Sequence, residues 1–242
     1  MTWETVVAIG ALSPKLKALR LSKCAELGAE IGFTALGQSC PELEELRITG
    51  LAYNKSSIKQ GEGIAESFPR LKILDLSYAP RLSSDRILVG LASKCPHLEE
   101  LYVQGGSNLE FPIEVIQKCK NLRCLDASGM LNVEDEDLQF LVEHAGPKLT
   151  YFGVDASGVT WKGLQELVAQ CPNLEVLKIP ECRSVPPFWN PLPPPGTGMY
   201  HYCVMLRCVG LHCVVRCVVF WFVLCFVVLR SVVEWLCCVV VS

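Results

Sequence analysis

Leu98-Glu99-Glu100-Leu101-Tyr102-Val103 is one of seven copies of a single pattern, Leu-x-x-Leu-x-Leu, and that pattern decides the fold. The clearest copies are Leu16-Leu19-Leu21, Leu43-Leu46-Ile48, Leu71-Leu74-Leu76 and Leu98-Leu101-Val103. Weaker ones follow at Leu122-Leu125-Ala127, Leu149-Phe152-Val154 and Leu174-Leu177-Ile179. Their first leucines are 27, 28, 27, 24, 27 and 25 residues apart. A fixed internal offset on a slightly elastic period is what a solenoid requires. The alternation at the end of each copy is that of a short strand. Each copy therefore predicts one rung of a parallel sheet, with its apolar residues inward and the intervening ones outward.

A helix is expected after each strand. Ile87-Leu88 with Leu91-Ala92, Leu138 with Leu141-Val142, and Leu164 with Leu167-Val168 recur at three and four, so each segment carries one apolar stripe. The acidic run Glu134-Asp135-Glu136-Asp137 is read as a helix start, where carboxylates meet the positive end of the dipole, and not as a cation site. Cys40, Cys95, Cys119 and Cys171 each stand three residues before the next rung, and Phe68 and Gly146 fill the same slot elsewhere.

The unit Cys-Pro-x-Leu-x-x-Leu-x-Leu/Ile/Val, at Cys40-Pro41, Cys95-Pro96 and Cys171-Pro172, resembles the cysteine-containing leucine-rich repeat. That subclass is typical of F-box/LRR proteins, the substrate receptors of cullin-based ubiquitin ligases. The resemblance covers residues 1–182 and implies an α/β solenoid of about seven repeats, with a curved parallel sheet inside and helices outside. The subclass also favours Cys eight residues after the first Leu. Cys24 and Cys182 obey, whereas Leu51, Ala79, Gly106, Met130 and Ser157 depart. In the F-box proteins the module that binds the Skp1 adaptor precedes the repeats. Here Val6, Val7, Ile9 and Leu12 read as the helix of a repeat whose strand is absent, so a solenoid truncated at its N-terminus is expected.

Charge narrows the partners. The chain of 242 residues has a net charge of −3, but residues 1–183 hold 19 Lys/Arg and 24 Asp/Glu, or 19 − 24 = −5. No basic stripe offers a general field for phosphates, which argues against nucleic acid. Seven of the 14 Cys lie in the repeats, mostly at one structural position, and no secretory signal precedes them. They are read as reduced structural thiols in a cytoplasmic or nuclear protein. Cys119 and Cys124 make a poor metal pair, and no cofactor is implied. Gly61-Glu62-Gly63 lacks the Gly-Lys-Ser/Thr ending of a phosphate loop and belongs to a longer loop from Leu51. Gly105-Gly106 and Pro112 point to a cramped helix in the shortest repeat. His97 and His144 occupy unlike repeat positions, so a Cys/His nucleophilic site is not read and the chain is not expected to be an enzyme.

After Cys182 the pattern stops. Residues 183–199 form a proline-rich linker, and residues 200–242 a Cys/Val-rich hydrophobic tail, read as non-native translated sequence or a poorly ordered segment. A TG-rich intron read in frame would give such a composition. The uncharged run Cys217–Leu229 is 13 residues, too short to span a bilayer. Residues 211–233 would make a marginal anchor only by including Arg216 and Arg230, so membrane attachment is the alternative and not the preferred reading. His201, Cys203, Cys208, His212, Cys213 and Cys217 follow the same codon bias and are not taken as metal ligands.

Function is then expected on the concave face. Arg20, Arg47, Asp75, Tyr102, Asp126, Gly153 and Lys178 form its central column. Beside it run Glu45, Ile73, Glu100, Cys124, Tyr151 and Val176, and on the other side Ser22, Thr49, Ser77, Gln104, Ser128 and Asp155. Mixed charge with Tyr102 and Tyr151 as aromatic anchors suits a protein partner, either a substrate or a regulatory protein. The F-box resemblance makes that partner a ubiquitination target; a non-ligase scaffold is the alternative.

Overall fold

A computed structural model describes residues 3–23, 33–50, 63–79, 85–107, 109–154, 158–179, 201–203, 207–208 and 211–212. Helix and strand alternate along the chain: α1 (Trp3–Leu12), β1 (Ala18–Ser22), α2 (Phe33–Ser39), β2 (Glu45–Thr49), α3 (Gly63–Ser67) and β3 (Ile73–Asp75). They continue through α4 (Asp85–Lys94), β4 (Glu100–Tyr102), α5 (Ile113–Lys118), β5 (Cys124–Asp126), α6 (Asp135–Ala145), β6 (Tyr151–Gly153), α7 (Trp161–Gln170) and β7 (Val176–Lys178). All seven strands stand at the positions the leucine spacing predicts. The helix after Gly105-Gly106 is indeed short, at six residues.

The register makes the repeat physical. Leu19 pairs with Leu46, Leu46 with Leu74, Leu74 with Leu101, Leu101 with Leu125, Leu125 with Phe152 and Phe152 with Leu177, every pairing parallel. From Leu46 to Leu177 these residues are buried, and each touches its equivalents above and below through one continuous core. Strands stack about 4.8 Å apart, whereas packed helices need about 8–10 Å. A sheet backed by helices therefore curves toward the strand side. The chain is an α/β leucine-rich-repeat solenoid.

Two turns repeat with the rungs. At the ends of helices α2 to α7 the slot residue closes the last helical turn: the amides of Cys40, Phe68, Cys95, Cys119, Gly146 and Cys171 donate to the carbonyls four residues back. The slot carbonyl then accepts from the first leucine of the rung, as Cys95 does from Leu98 at 3.2 Å. The thiols reach further. Cys95 Sγ lies 3.5 Å from the carbonyl of Phe68, Cys119 Sγ 3.4 Å from that of Cys95, and Cys40 Sγ 3.5 Å from that of Gly10. The sequence reads these thiols as structural; the structure adds that the thiols of Cys40, Cys95 and Cys119 bond one repeat to a carbonyl of the repeat before it. Burial pushes the Cys95 and Cys171 thiols up to about 12 and Cys119 to about 11, so all three stay protonated, and Cys95 and Cys119 keep the protons they donate.

The second turn follows each of the strands β1 to β5. Lys23, Gly50, Tyr78, Gly105 and Gly129, all seven residues after a first leucine, have φ of 54°, 66°, 55°, 80° and 90°. Glycine adopts this left-handed region freely and other residues at a cost. Space also matters here, because a Cβ on Gly129 would come 2.8 Å from the Cα of Gly105.

The sheet does not end at the seventh rung. Strand β8 (His201–Cys203) pairs in parallel with β7, and β9 (Arg207–Cys208) with β10 (Leu211–His212) forms a separate antiparallel pair. The leucine pattern gives no sign of β8, because main-chain bonds alone can extend a parallel edge. Gly63, expected in the loop from Leu51, instead opens α3. Cys24, residues 51–62 of that loop, Asp155, Cys182, the linker at 183–199 and the stretch from Cys213, with its proposed span to Val233, lie outside the described residues. Among the described residues no helix is long and apolar enough to cross a membrane.

Replacing Leu101 with Ala should cost about 2–5 kcal/mol in urea unfolding, because the neighbouring rungs cannot collapse into the space. Gly129→Ala should also destabilise sharply, whereas Gly50→Ala, whose added Cβ would come no closer than 3.4 Å to Lys23, should cost less. Equal losses at the two glycines would show that backbone conformation alone, and not rung spacing, sets the penalty.

Candidate functional site

The residues between the inward leucines all lie on one side of the sheet, and the structure links them into a chain of contacts across the rungs. On the first two rungs Glu45 bridges two cations. Arg20 donates through Nε at 2.6 Å and Nη2 at 3.0 Å, and Arg47 through Nε at 2.5 Å. These bonds hold the Glu45 carboxyl at about 2, the Arg20 hydrogen bonds contributing most and outweighing the opposing effect of burial. Arg47 then reaches up the face: its Nη1 is 3.5 Å from Asp75 and its Nη2 3.6 Å from Glu100. Its guanidinium also sits over the Tyr102 ring, 5.3 Å from the centroid.

Glu100 is the junction. It is buried, yet Arg47, Arg123 and the Tyr102 hydroxyl all converge on it, the last at 3.1 Å. A buried carboxylate requires such company, since an unpaired one would be very costly. Burial, with Cys124 and Glu100 close by, raises the Tyr102 phenol above its ordinary value of 10.0, so it stays a neutral donor. The Tyr102 and Tyr151 rings meet edge to face with centroids 5.9 Å apart.

The last rungs are joined through a missing side chain. Tyr151 donates to Asp126 Oδ2 at 3.0 Å, and Lys178 Nζ reaches the same oxygen at 3.0 Å from 52 residues away, crossing the sixth rung. Gly153 allows this, because a Cβ there would lie 2.5 Å from Asp126 Oδ1. Asp126 Oδ1 also accepts from the Ser128 amide at 3.0 Å, and Asp126 is almost fully buried.

Of the residues singled out from sequence, Arg20, Arg47, Asp75, Tyr102, Asp126, Tyr151 and Lys178 thus share one face. Their degree of exposure differs from expectation. Tyr102 is half-buried and clamped between Arg47 and Tyr151, and Asp126 belongs to the floor. Sequence reasoning placed Glu45 and Glu100 only in the flanking column and omitted Arg123. The signal was available, since Glu45 and Glu100 share one repeat offset between cations. Cys124 faces the same side, 3.5 Å from Thr150 Oγ1, while Cys119 is in the core. His144 stacks on Phe140 with centroids 4.0 Å apart and contacts its carbonyl, a local helix-end arrangement. Among the described residues no group of three or more His, Cys, Asp or Glu is arranged to hold a metal ion.

No family model matches the chain. In overall form it is similar to the C-terminal domain of tropomodulin from Caenorhabditis elegans, at 9% identity and a TM-score of 0.38, covering 70% of this chain and 91% of that one. It is also similar to an internalin from Listeria monocytogenes, at 16% identity and a TM-score of 0.42, covering 71% of this chain and 49% of that one. The chain thus spans about half the length of the internalin. Likeness at this level extends no further than the fold.

The Glu45 carboxyl lies below its ordinary value of 4.5, so the anion is favoured in the folded chain. Its contribution is complete above about 4.5 and is lost as pH falls toward 2. The melting temperature of the parent chain should therefore fall more steeply across that window than that of Glu45→Gln. Parallel pH profiles would show that the Arg20–Glu45–Arg47 bridge adds nothing to stability.

Proposed function

We propose that the chain is a protein-interaction module that recruits a protein partner on its concave strand face and carries out no chemistry itself. The observation that carries this reading is the continuous charged and aromatic network from Arg20 to Lys178. It crosses every rung and holds its side chains in fixed positions, so a partner meets a preorganised surface. In this reading the chain is the substrate-recognition part of an F-box/LRR receptor in an SCF-type ubiquitin ligase, working in the cytoplasm or nucleus. The buried Cys40, Cys95, Cys119 and Cys171 slot supports the cysteine-containing subclass. The Skp1 adaptor would be engaged through a domain outside residues 1–242.

The departures at Leu51, Ala79, Gly106 and Met130 favour a second reading, a non-ligase leucine-rich-repeat scaffold. The transcript upstream of Met1 separates the two: an F-box there supports the receptor, and an unrelated sensor or catalytic domain supports the scaffold. The docking face itself is tested at Tyr102. Tyr102→Ala should weaken binding to a partner recovered with the full-length parent by about 1 kcal/mol or more, as for an aromatic anchor. Tyr102→Phe, which keeps the ring, should retain most of the affinity. Unaltered binding by Tyr102→Ala would move the interface off this face.

A further inference from the structure

The height of the charges above the sheet carries information about the partner. In the ion pairs of the two central columns the carboxylate lies deeper than its cation. The side chain of Arg20 is 67% exposed against 13% for Glu45, Arg123 43% against 10% for Glu100, and Lys178 16% against 4% for Asp126. The oxygens are also occupied. Asp126 accepts from Ser128, Tyr151 and Lys178, and Glu100 accepts from Tyr102 and Arg123 with Arg47 paired to it by charge. The cations keep donors in reserve. Among the described residues Arg20 uses Nε and Nη2 but not Nη1, Lys178 uses one of three N–H groups, and Arg123 Nη1 meets only the Cys124 thiol, at 3.7 Å. Acceptors therefore point into the sheet and donors rise from it, although residues 1–183 carry a net −5 (19 − 24).

Resting on the concave face as a protein-docking surface, we propose that its partner is an acidic, extended peptide segment. Its Asp or Glu carboxylates dock on Arg20, Arg123 and Lys178 around the Tyr102–Tyr151 pair. Seven rungs at about 4.8 Å spacing cover about 29 Å, the length of about nine extended residues. A phosphate polymer fits less well. Arg47 covers a face of Tyr102 that a base would stack on, so the aromatic centre of the face suits carboxylates beside it better than stacked nucleotides.

The test is a random peptide library of about 12 residues, long enough to cross the face, selected on the full chain. Selected peptides are then titrated at low and high salt, alongside a single-stranded oligonucleotide of similar length. The expected result is enrichment in Asp and Glu and an affinity that falls with salt. Arg20→Gln, Arg123→Gln and Lys178→Gln should each weaken binding by about tenfold, the value of one charge-assisted hydrogen bond. Lys162→Gln, on the exposed side of α7, should leave it unchanged. Melting curves of each variant confirm that the fold is retained. Neutral or basic peptides whose binding is lost on Tyr102→Ala would overturn this inference and leave the docking face standing. Tighter binding of the oligonucleotide through the same cations would overturn it in favour of phosphate. Peptides indifferent to Tyr102 and to all three cations would remove the docking face itself, and recovery of no peptide would count against the acidic segment.

Discussion

The in-register parallel stack is the constraint on which everything else depends. Each rung presents a leucine or phenylalanine inward and a polar residue outward because side chains alternate along a strand. A slip of one residue between two rungs would exchange the two sets and place charge in the core. The core forbids that slip: Leu46, Leu74, Leu101, Leu125, Phe152 and Leu177 are aligned and buried. The outward column is thereby aligned as well. Residues about 25 residues apart in sequence become neighbours one strand spacing apart.

The solenoid therefore turns a sequence period into a chemical surface. Glu45 receives arginines from the first two rungs, Glu100 receives them from the second and fifth, and Asp126 receives a lysine from the seventh. None of these pairs is local in sequence except Arg47 with Glu45. Deep carboxylates so surrounded are retained at some cost in desolvation, and a single unpaired member would be worse than none. The face is accordingly stiff and donor-rich toward solvent, and two tyrosines share its centre.

The rungs, the helices and the slot before each leucine were all legible in the sequence, because each is written at a constant offset. So was the membership of the outward columns, which follows from alternation alone. The contacts within the columns were not. Lys178 meets Asp126 only because Gly153 has no side chain between them, and a gap in one rung has no signature in the others. The thiol bonds from Cys95 and Cys119 to the preceding repeat were equally hidden, since burial alone explains a cysteine there. The left-handed residue after strands β1 to β5 was half visible. Gly50, Gly105 and Gly129 share one offset, while Lys23 and Tyr78 occupy it against preference because the turn demands it. Strand β8 was invisible, for the backbone forms it without the leucine pattern.

The register requires side chains two rungs apart to meet across the strand face, as Lys178 meets Asp126. A double-mutant cycle on Asp126→Asn and Lys178→Met, read by chemical unfolding of the full chain, measures that contact directly. A partly buried ion pair held by this stacking predicts a coupling of about 0.5–3 kcal/mol. Additive losses, with no coupling beyond experimental error, would contradict both the register and the continuous face built upon it.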